Sequence, residues 1–214
     1  MHKIDHLRLE YGETGMEPED LQDDPFLQFA DWLQDAMNAN VLEPNAMTLA
    51  TADTSGRPSA RIVLLKGFGH DGFVFYTNYL SRKGEQLTEN PHAALVFFWG
   101  PLERQVRIEG IVEKTARATN EAYFSSRPVN SQIGAAASPQ SRVIHSRKVL
   151  EHAMEALGRE FERKGAIPCP EHWGGFCLKP HTIEFWQGRR SRLHDRIQYR
   201  LSEKGIWEKE RLAP

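Results

Sequence analysis

No apolar stretch in this chain approaches the roughly 20 residues that a helix needs to cross a bilayer. Two cysteines, Cys169 and Cys177, are too few for a disulfide framework, and we expect both to be reduced and structural. They share the segment "CPEHWGGFC" with His172, but three potential ligands without a repeated C-x-x-C spacing do not specify a metal site. Neither sign of charge dominates: 27 Lys and Arg against 29 Asp and Glu leave a net charge of -2. That balance excludes a global pull toward nucleic acid or an anionic membrane, so any basic patch must be local. The sequence has no G-x-x-x-x-G-K-[ST], no H-E-x-x-H and no G-x-S-x-G, and neither an internal repeat nor a low-complexity segment. Its first residues, "MHKIDHLRLEYGETGMEPEDLQDD", lack the apolar core of a signal peptide and are too acidic for a transit peptide; the expected compartment is the cytoplasm.

What is present reads as a mainly β chain with flanking helices, an α+β fold. Residues 1–23 are polar and aperiodic, an arm that orders only against something else, and 24–214 form one domain. Asp24-Pro25 opens a helix, with Asp as N-cap and Pro at the first position, and Phe26, Phe29, Ala30, Leu33, Ala36 and Met37 give it one apolar face. From Met47 the period becomes two. "MTLATAD" and "PSARIVLLKGF" flank a Ser55-Gly56 turn, and "GFVFYTN", "HAALVFFWG" and "RQVRIEGIVEKT" are further strands. Ser81 opens a short helix that Asn90-Pro91 stops. Helical character returns over Ala116–Phe124, breaks or loops through "SSRPVNSQIGAAAS", and resumes over Ser146–Lys164; the tail returns to strands. Strands that are sequence neighbours on short turns favour antiparallel pairing, hence a barrel or a strongly twisted sheet.

"GFGHDG", Gly67 to Gly72, matches the dinucleotide-binding pattern G-x-G-x-x-G. That chemistry needs a helix N-terminus after the glycines, aimed at a pyrophosphate. "FVFYTN" follows instead, β-branched and aromatic, so the glycines are read as a hairpin turn with residues at positive φ.

Cations gather at four places. Arg61 and Lys66 bracket "RIVLLK" and, five apart, point to opposite faces of a regular strand; either one faces an interior that needs an anion, or both sit in water at the strand ends. Arg82 and Lys83 begin a helix, where backbone N–H groups add to a phosphate cradle or merely cap the helix. Tyr123, Arg127, Ser131, Gln140 and Ser141 place hydroxyls, an amide and a guanidinium on loop-like chain. "EFWQGRRSRLHDR", Glu184–Arg196, joins four arginines to Trp186 and His194. Four such clusters in a nearly neutral chain suggest more than one bound anion.

In these motifs the chain resembles the pyridoxamine 5'-phosphate oxidase family. "RIVLLK", "FYTNYLSRKGEQ", "LERQVRIEG", "YFSSRP" with "NSQIGA", "SPQS" and "IEFWQGRRSRLHDR" occur in the family's order from near the start to the terminal "RLAP". The resemblance implies an FMN-binding split antiparallel β-barrel, a homodimer with FMN at the subunit interface. It implies oxidation of pyridoxine 5'-phosphate or pyridoxamine 5'-phosphate to pyridoxal 5'-phosphate, with hydride passing to flavin N5 and O2 reoxidising the flavin to give H2O2. Position by position, it implies FMN contacts from the strand Arg61, Ile62, Val63, Leu64, Leu65 and Lys66, and from Tyr76, Thr77, Arg82, Lys83 and Gln105. Gln140, Ser141, Trp186 and Arg196 match FMN contacts from the partner subunit. Lys66, Tyr123, Arg127 and Ser131 match the substrate-phosphate shell. Arg192, Leu193 and His194 close over the substrate ring, with Arg192 and His194 as the catalytic pair. Arg8 and Tyr11 match an N-terminal lid; some members carry two arginines where this chain has Arg8-Leu9. Arg189 and Arg190 fall in a variable spacer and are expected in solvent. No metal, nucleic acid or membrane is implied. Two other readings are a split-barrel module that binds FMN or pyridoxal 5'-phosphate without turnover, and an NAD(P)H flavin reductase; neither needs the second phosphate shell around Arg127.

Overall fold

The structure, a computed structural model, describes residue 4, residues 6–7 and residues 10–214. Arg8, one of the two expected lid residues, lies outside them. Nine strands make one antiparallel sheet: β1 (Ala46–Ala52), β2 (Pro58–Leu64), β3 (Gly67–Gly69), β4 (Gly72–Asn78), β5 (His92–Trp99), β6 (Arg104–Lys114), β7 (Trp173–Gln187), β8 (Asp195–Leu201) and β9 (Trp207–Leu212). Their order is β2-β1-β5-β6-β7-β4-β3, with β8 added beside β7 and β9 beside β8. The fifteen-residue β7 explains the split: its first half pairs with β4 and its second half with β8, while β6 pairs along both. A register shift between Glu109 and Gly110 bends the sheet there, and β2 returns toward β4, so the sheet curls into a half-barrel.

Alternation sends one face of β1, β4, β5, β6, β7 and β8 inward. Met47, Leu49, Phe73, Phe75, Leu95, Phe97, Val106, Ile108, Ile183, Phe185, Ile197 and Tyr199 are all buried. Helix α1 (Pro25–Asn38) plugs this interior. It starts as expected, with Asp24 Oδ1 accepting from Phe26 N at 2.8 Å. Phe29 is fully buried and meets Phe73 and Phe97 edge-on, with ring centroids 5.1 and 5.0 Å away. Helix α2 (Arg82–Glu89) is capped by the Ser81 hydroxyl, which accepts from Gly84 N. The glycine-rich "GFGHDG" is the β3–β4 hairpin, with Gly72 at φ 120°, as its β-branched sequel predicts.

The helix expected over Ala116–Phe124 is α3 (Arg117–Ser126), and the stretch read as broken helix or loop resolves into its last turn, a break at Arg127-Pro128, and α4 (Val129–Ala137); α5 (Arg147–Lys164) follows. The residue before a proline is pushed out of the helical region, and Arg127 is extended at φ -76°, ψ 152°. One strand expectation shortens: "SRLHDRIQYRLS" begins its strand only at Asp195, because Arg190–Arg192 turn as a 3-10 helix. The arm is also tied down before residue 24. Met16 and Leu21 are buried, Tyr199 Oη donates to Gln22 O at 2.6 Å, and Lys209 Nζ donates to the Pro18 and Leu21 carbonyls. Cys169 and Cys177 are both free thiols. Among the described residues no helix is long and apolar enough to cross a membrane, and no cluster of His, Cys, Asp and Glu could hold a metal.

Candidate functional site: two cavities

The first cavity, about 770 Å³, opens between the β2 and β4 edges and helices α3 and α4. Arg61, Lys66, Lys83 and Arg127 all line it, and no carboxylate does. Arg61 and Lys66 thus share a cavity rather than taking opposite sides of the sheet. The reason is that β2 ends at Leu64: Leu65 turns into the core and Lys66 leaves the strand's alternation. Ile62, Val63 and Leu64 line the same wall, whereas Leu65 does not.

Neutral acceptors hold two of these cations, Arg61 and Lys83, while Lys66 is exposed. Arg61 donates to Leu49 O, Thr51 Oγ1 and Ser59 Oγ, and burial with nearby Arg82 pushes its pKa down. Lys83 Nζ reaches Gln140 Oε1 at 2.7 Å and Thr77 Oγ1 at 3.2 Å; burial, then Arg61, lower its pKa to about 8. Arg127 lies 4.9 Å from the Trp173 ring centroid, and its buried Nη1 has no hydrogen-bond partner. Burial lowers its pKa as well. Tyr123 stacks on Tyr76 at 4.0 Å, and Tyr76 on Trp173 at 5.2 Å, so the wall beside Arg127 is a pile of flat rings. Desolvated cations with no counter-charge, here Arg61, Lys83 and Arg127, favour the approach of an anion.

The second cavity, about 740 Å³, is lined by Leu7, Glu10, Tyr11, Trp186, Arg189, Ser191, Arg192 and His194. Tyr11 meets Trp186 and His194 edge-on at 5.6 and 5.5 Å, and the Trp186 and His194 rings are 4.7 Å apart. His194 Nδ1 accepts from the Arg189 backbone N–H at 3.0 Å. An accepting Nδ1 leaves the proton of the neutral ring on Nε2. Burial, then Arg192, lower the His194 pKa, which favours that neutral form. Leu193 is exposed.

The two linings share no residue. Sequence candidates therefore divide: Arg61, Ile62, Val63, Leu64, Lys66, Tyr76, Thr77, Lys83, Tyr123, Arg127, Ser131 and Gln140 gather in the first cavity, Tyr11, Trp186, Arg192 and His194 in the second. Arg82 and Ser141 are exposed and line neither. Gln105 and Arg196 lie on the outward sheet face, in a row that runs Phe98, Gln105, Trp186, Arg196 across β5 to β8. Arg196 is held two-pronged by Glu184, itself only 2% exposed and also paired with Arg107.

Gln140, matched by the resemblance to an FMN contact from the partner subunit, accepts from this chain's own Lys83 and Thr77, because the turn after α4 folds back onto the end of β4. One expectation is corrected. Arg189 was expected in solvent. It is half-buried, pairs with Asp195 at 3.0 Å and holds His194 through its backbone, because the turn at 190–192 folds 189 back against 194–195. Arg190 is exposed and pairs with Glu13. Sequence reading missed Trp173, Asn78 and Ser138 in the first cavity. Trp173 sits in "EHWGGF", where only the stacking against Tyr76 reveals it.

Residues 33–158 match the family model described as pyridoxamine 5'-phosphate oxidase, and residues 173–214 match the pyridoxine 5'-phosphate oxidase C-terminal dimerisation region. The chain is 54% identical to a pyridoxine/pyridoxamine 5'-phosphate oxidase of Salinibacter ruber, covering 100% of both chains. It is 55% identical to one of Acidovorax, covering 99% of this chain and 96% of that one. Among solved structures, PhzG from Burkholderia lata in complex with tetrahydrophenazine-1-carboxylic acid superposes with TM-score 0.87 at 30% identity, covering 94% of this chain and 99% of that one. An FMN binding protein of Nostoc punctiforme related to pyridoxamine 5'-phosphate oxidase, at 17% identity and TM-score 0.70 over 91% and 100%, shares the fold.

Proposed function

The chain belongs to the pyridoxamine 5'-phosphate oxidase family, and from that premise we propose that it oxidises pyridoxine 5'-phosphate or pyridoxamine 5'-phosphate to pyridoxal 5'-phosphate, with FMN as cofactor. The observation that carries this reading is the first cavity, where four cations converge with no carboxylate among them. Two phosphate esters, one on each ligand, each carry close to two negative charges near neutral pH and would supply the missing counter-charge. The residues fit such groups: Arg127 keeps a buried, unpartnered N–H, and Lys83 is driven toward neutrality by desolvation that an anion would relieve.

Arg61, Thr77, Lys83 and Gln140 would hold the flavin phosphate, with Arg82 at the rim and Ile62, Val63, Leu64 and Lys66 along the ring. Lys66, Tyr123, Arg127 and Ser131 would hold the substrate phosphate. Bound FMN would supply the two-electron acceptor, with O2 as terminal oxidant and H2O2 as its product. The chain's own contribution is position. A phosphate anchored at Arg127 fixes the far end of the substrate, leaving the reacting carbon one orientation to sample. Arg192 holds the reacting end by charge. His194, neutral and carrying its proton on Nε2, offers a hydrogen bond from that atom. Tyr11 covers the ring and excludes water.

Because the two cavities have no residue in common, we assign the complete site to a homodimer in which Trp186, Arg192, His194 and Arg196 of one subunit face the anion cavity of the other. Ser141 belongs to the same assignment, and Gln105 would meet the flavin from the chain that supplies the anion cavity.

The test is optical. Purified protein should be yellow, bleach under anaerobic conditions with pyridoxine 5'-phosphate, and regain colour in air while an aldehyde accumulates. Colour that ignores both B6 phosphates but bleaches with NADPH would replace this reading with a flavin reductase.

A further inference from the structure

His194 does not hold itself in place. The turn that carries it, Gly188 to Leu193, includes two non-glycine residues in the left-handed region, Ser191 at φ 56° and Arg192 at φ 60°. Such conformations are costly and persist only where the surroundings impose them. The ends of the turn are fastened to each other: Arg189 Nη1 lies 3.0 Å from Asp195 Oδ2, across its mouth. Asp195 is buried and is fixed in turn from two other directions. Arg211 Nη1 on β9 donates to its Oδ1 at 2.7 Å, and the Met16 N–H of the arm donates to its Oδ2 at 3.1 Å. Arg211 also grips the arm, through Met16 O and Glu17. Five residues upstream of Met16, Tyr11 packs against the His194 ring.

We propose that Asp195 is a positioning residue: by clasping Arg189 and the Met16 N–H it holds the Arg189 backbone N–H on His194 Nδ1, fixing His194 as its Nε2–H tautomer while seating the arm above it. One carboxylate thereby couples closure of the arm to the hydrogen-bonding state of the ring beneath. This rests on the oxidase reading for its catalytic meaning, though not for its geometry. Gly15 supports the same clasp. A methyl group there would have to push the Arg189 guanidinium aside, so the arm runs directly over the pair and a side chain at 15 would strain the Arg189–Asp195 contact.

The groups that face His194 are Tyr11 and Trp186 as rings, Arg192, Arg189 and Asp195 as charges. Removing the Asp195 charge by itself would lower the ring's pKa further, since Asp195 opposes the shift. The tautomer, not the pKa, is therefore what separates loss of the clasp from loss of a charge.

The experiment uses the FMN-loaded protein labelled with 15N-histidine, with His194 assigned by comparison with His194→Gln. Wild type should give one Nε2–H tautomer at His194. Asp195→Asn, Arg189→Met and Gly15→Ala should each give a mixture of tautomers, with kcat/KM for pyridoxine 5'-phosphate down about tenfold, the scale of one charge-assisted hydrogen bond. Arg189→Met and Asp195→Asn together should cost little more than the worse of the two, because both open one clasp. A pure Nε2–H tautomer in Arg189→Met and Gly15→Ala would overturn the proposal, as would full additivity in the double variant. Should Asp195→Asn fail to fold, the other two variants leave the buried carboxylate in place and decide the matter. A wild-type protein that shows the single tautomer but never bleaches with B6 phosphates would sink the oxidase reading and leave the clasp standing.

Discussion

Lys83 gives the sharpest prediction, because its state depends on pH in the range where flavin binding is easily measured. Without an anion its pKa falls to about 8, chiefly through burial and then through Arg61. The ordinary lysine value is about 10.4. The sign follows. Below pH 8 the ammonium is charged and contributes fully to phosphate affinity; as pH rises through 8 the free protein loses that charge, and binding must reload a proton. If the bound phosphate restores an ordinary pKa, affinity falls by at most about fivefold between pH 8 and 9. Lys83 is partly open to solvent, so screening brings the expected loss nearer two- to threefold. The flavin phosphate is already close to its dianion at pH 7 and adds little of its own. The assay is quenching of FMN fluorescence by apoprotein at fixed ionic strength from pH 7 to 9. Lys83→Met should bind more weakly at pH 7 and show no such slope. A flat profile in wild type, or the same slope in the variant, would refute the argument that a desolvated amine waits there for an anion.

Arg127→Met should raise KM for pyridoxine 5'-phosphate roughly 10- to 100-fold, the worth of one or two charged hydrogen bonds, and leave kcat within a few-fold, since phosphate contacts persist in ground and transition states alike; a large kcat loss at unchanged KM would contradict it. Arg192→Ala should lower kcat/KM while leaving flavin content normal, read by steady-state assay and absorbance; turnover and affinity both near wild type would remove Arg192 from the site. Phe29→Ala, emptying a fully buried position ringed by Phe68, Phe73, Phe97 and Trp99, should cost about 3–5 kcal/mol in urea unfolding.

The sheet was legible because burial imposes a period of two. "MTLATA" alternates along β1, and the same pattern recurs through β5 and β6. Caps were legible for a local reason, since Asp24 and Ser81 satisfy donors two and three residues away. The anion cavity was partly legible: basic residues at strand and helix ends announced charge, while the family's motifs supplied the partners. Spacing misjudged Arg61 and Lys66, since alternation holds only inside a strand and β2 stops before Lys66. Arg189 and Asp195 were illegible because their roles arise from a strained turn and from contacts with Met16 and Arg211, 179 and 16 residues from Asp195. Nothing in "GRRSRLHDR" states which arginine will find a carboxylate.

The division into two cavities leads to a prediction that no single chain can satisfy. Each lining carries half of what the proposed reaction needs: an anchor for phosphate at Arg127 in one, Arg192 and His194 in the other. On the homodimer reading, each complete site takes one half from each subunit. The outward face between them is suited to being covered. Phe98 at 60% and Ile62 at 65% exposure stand there in water, beside a Glu184 carboxylate that two arginines already screen. Arg127→Met and Arg192→Ala homodimers should each be crippled, the one in affinity, the other in turnover. Denatured together in equal amounts, refolded and loaded with FMN, half of the dimers become mixed. A mixed dimer holds one site with both defects and one with neither, so about a quarter of wild-type activity should return if isologous subunits share the site. If both halves of a site came from one chain, every site in the mixture would carry a defect and no activity would return. Recovery in the mixture, measured against each variant refolded alone at the same substrate concentration, is thus the observation on which the shared site stands or falls.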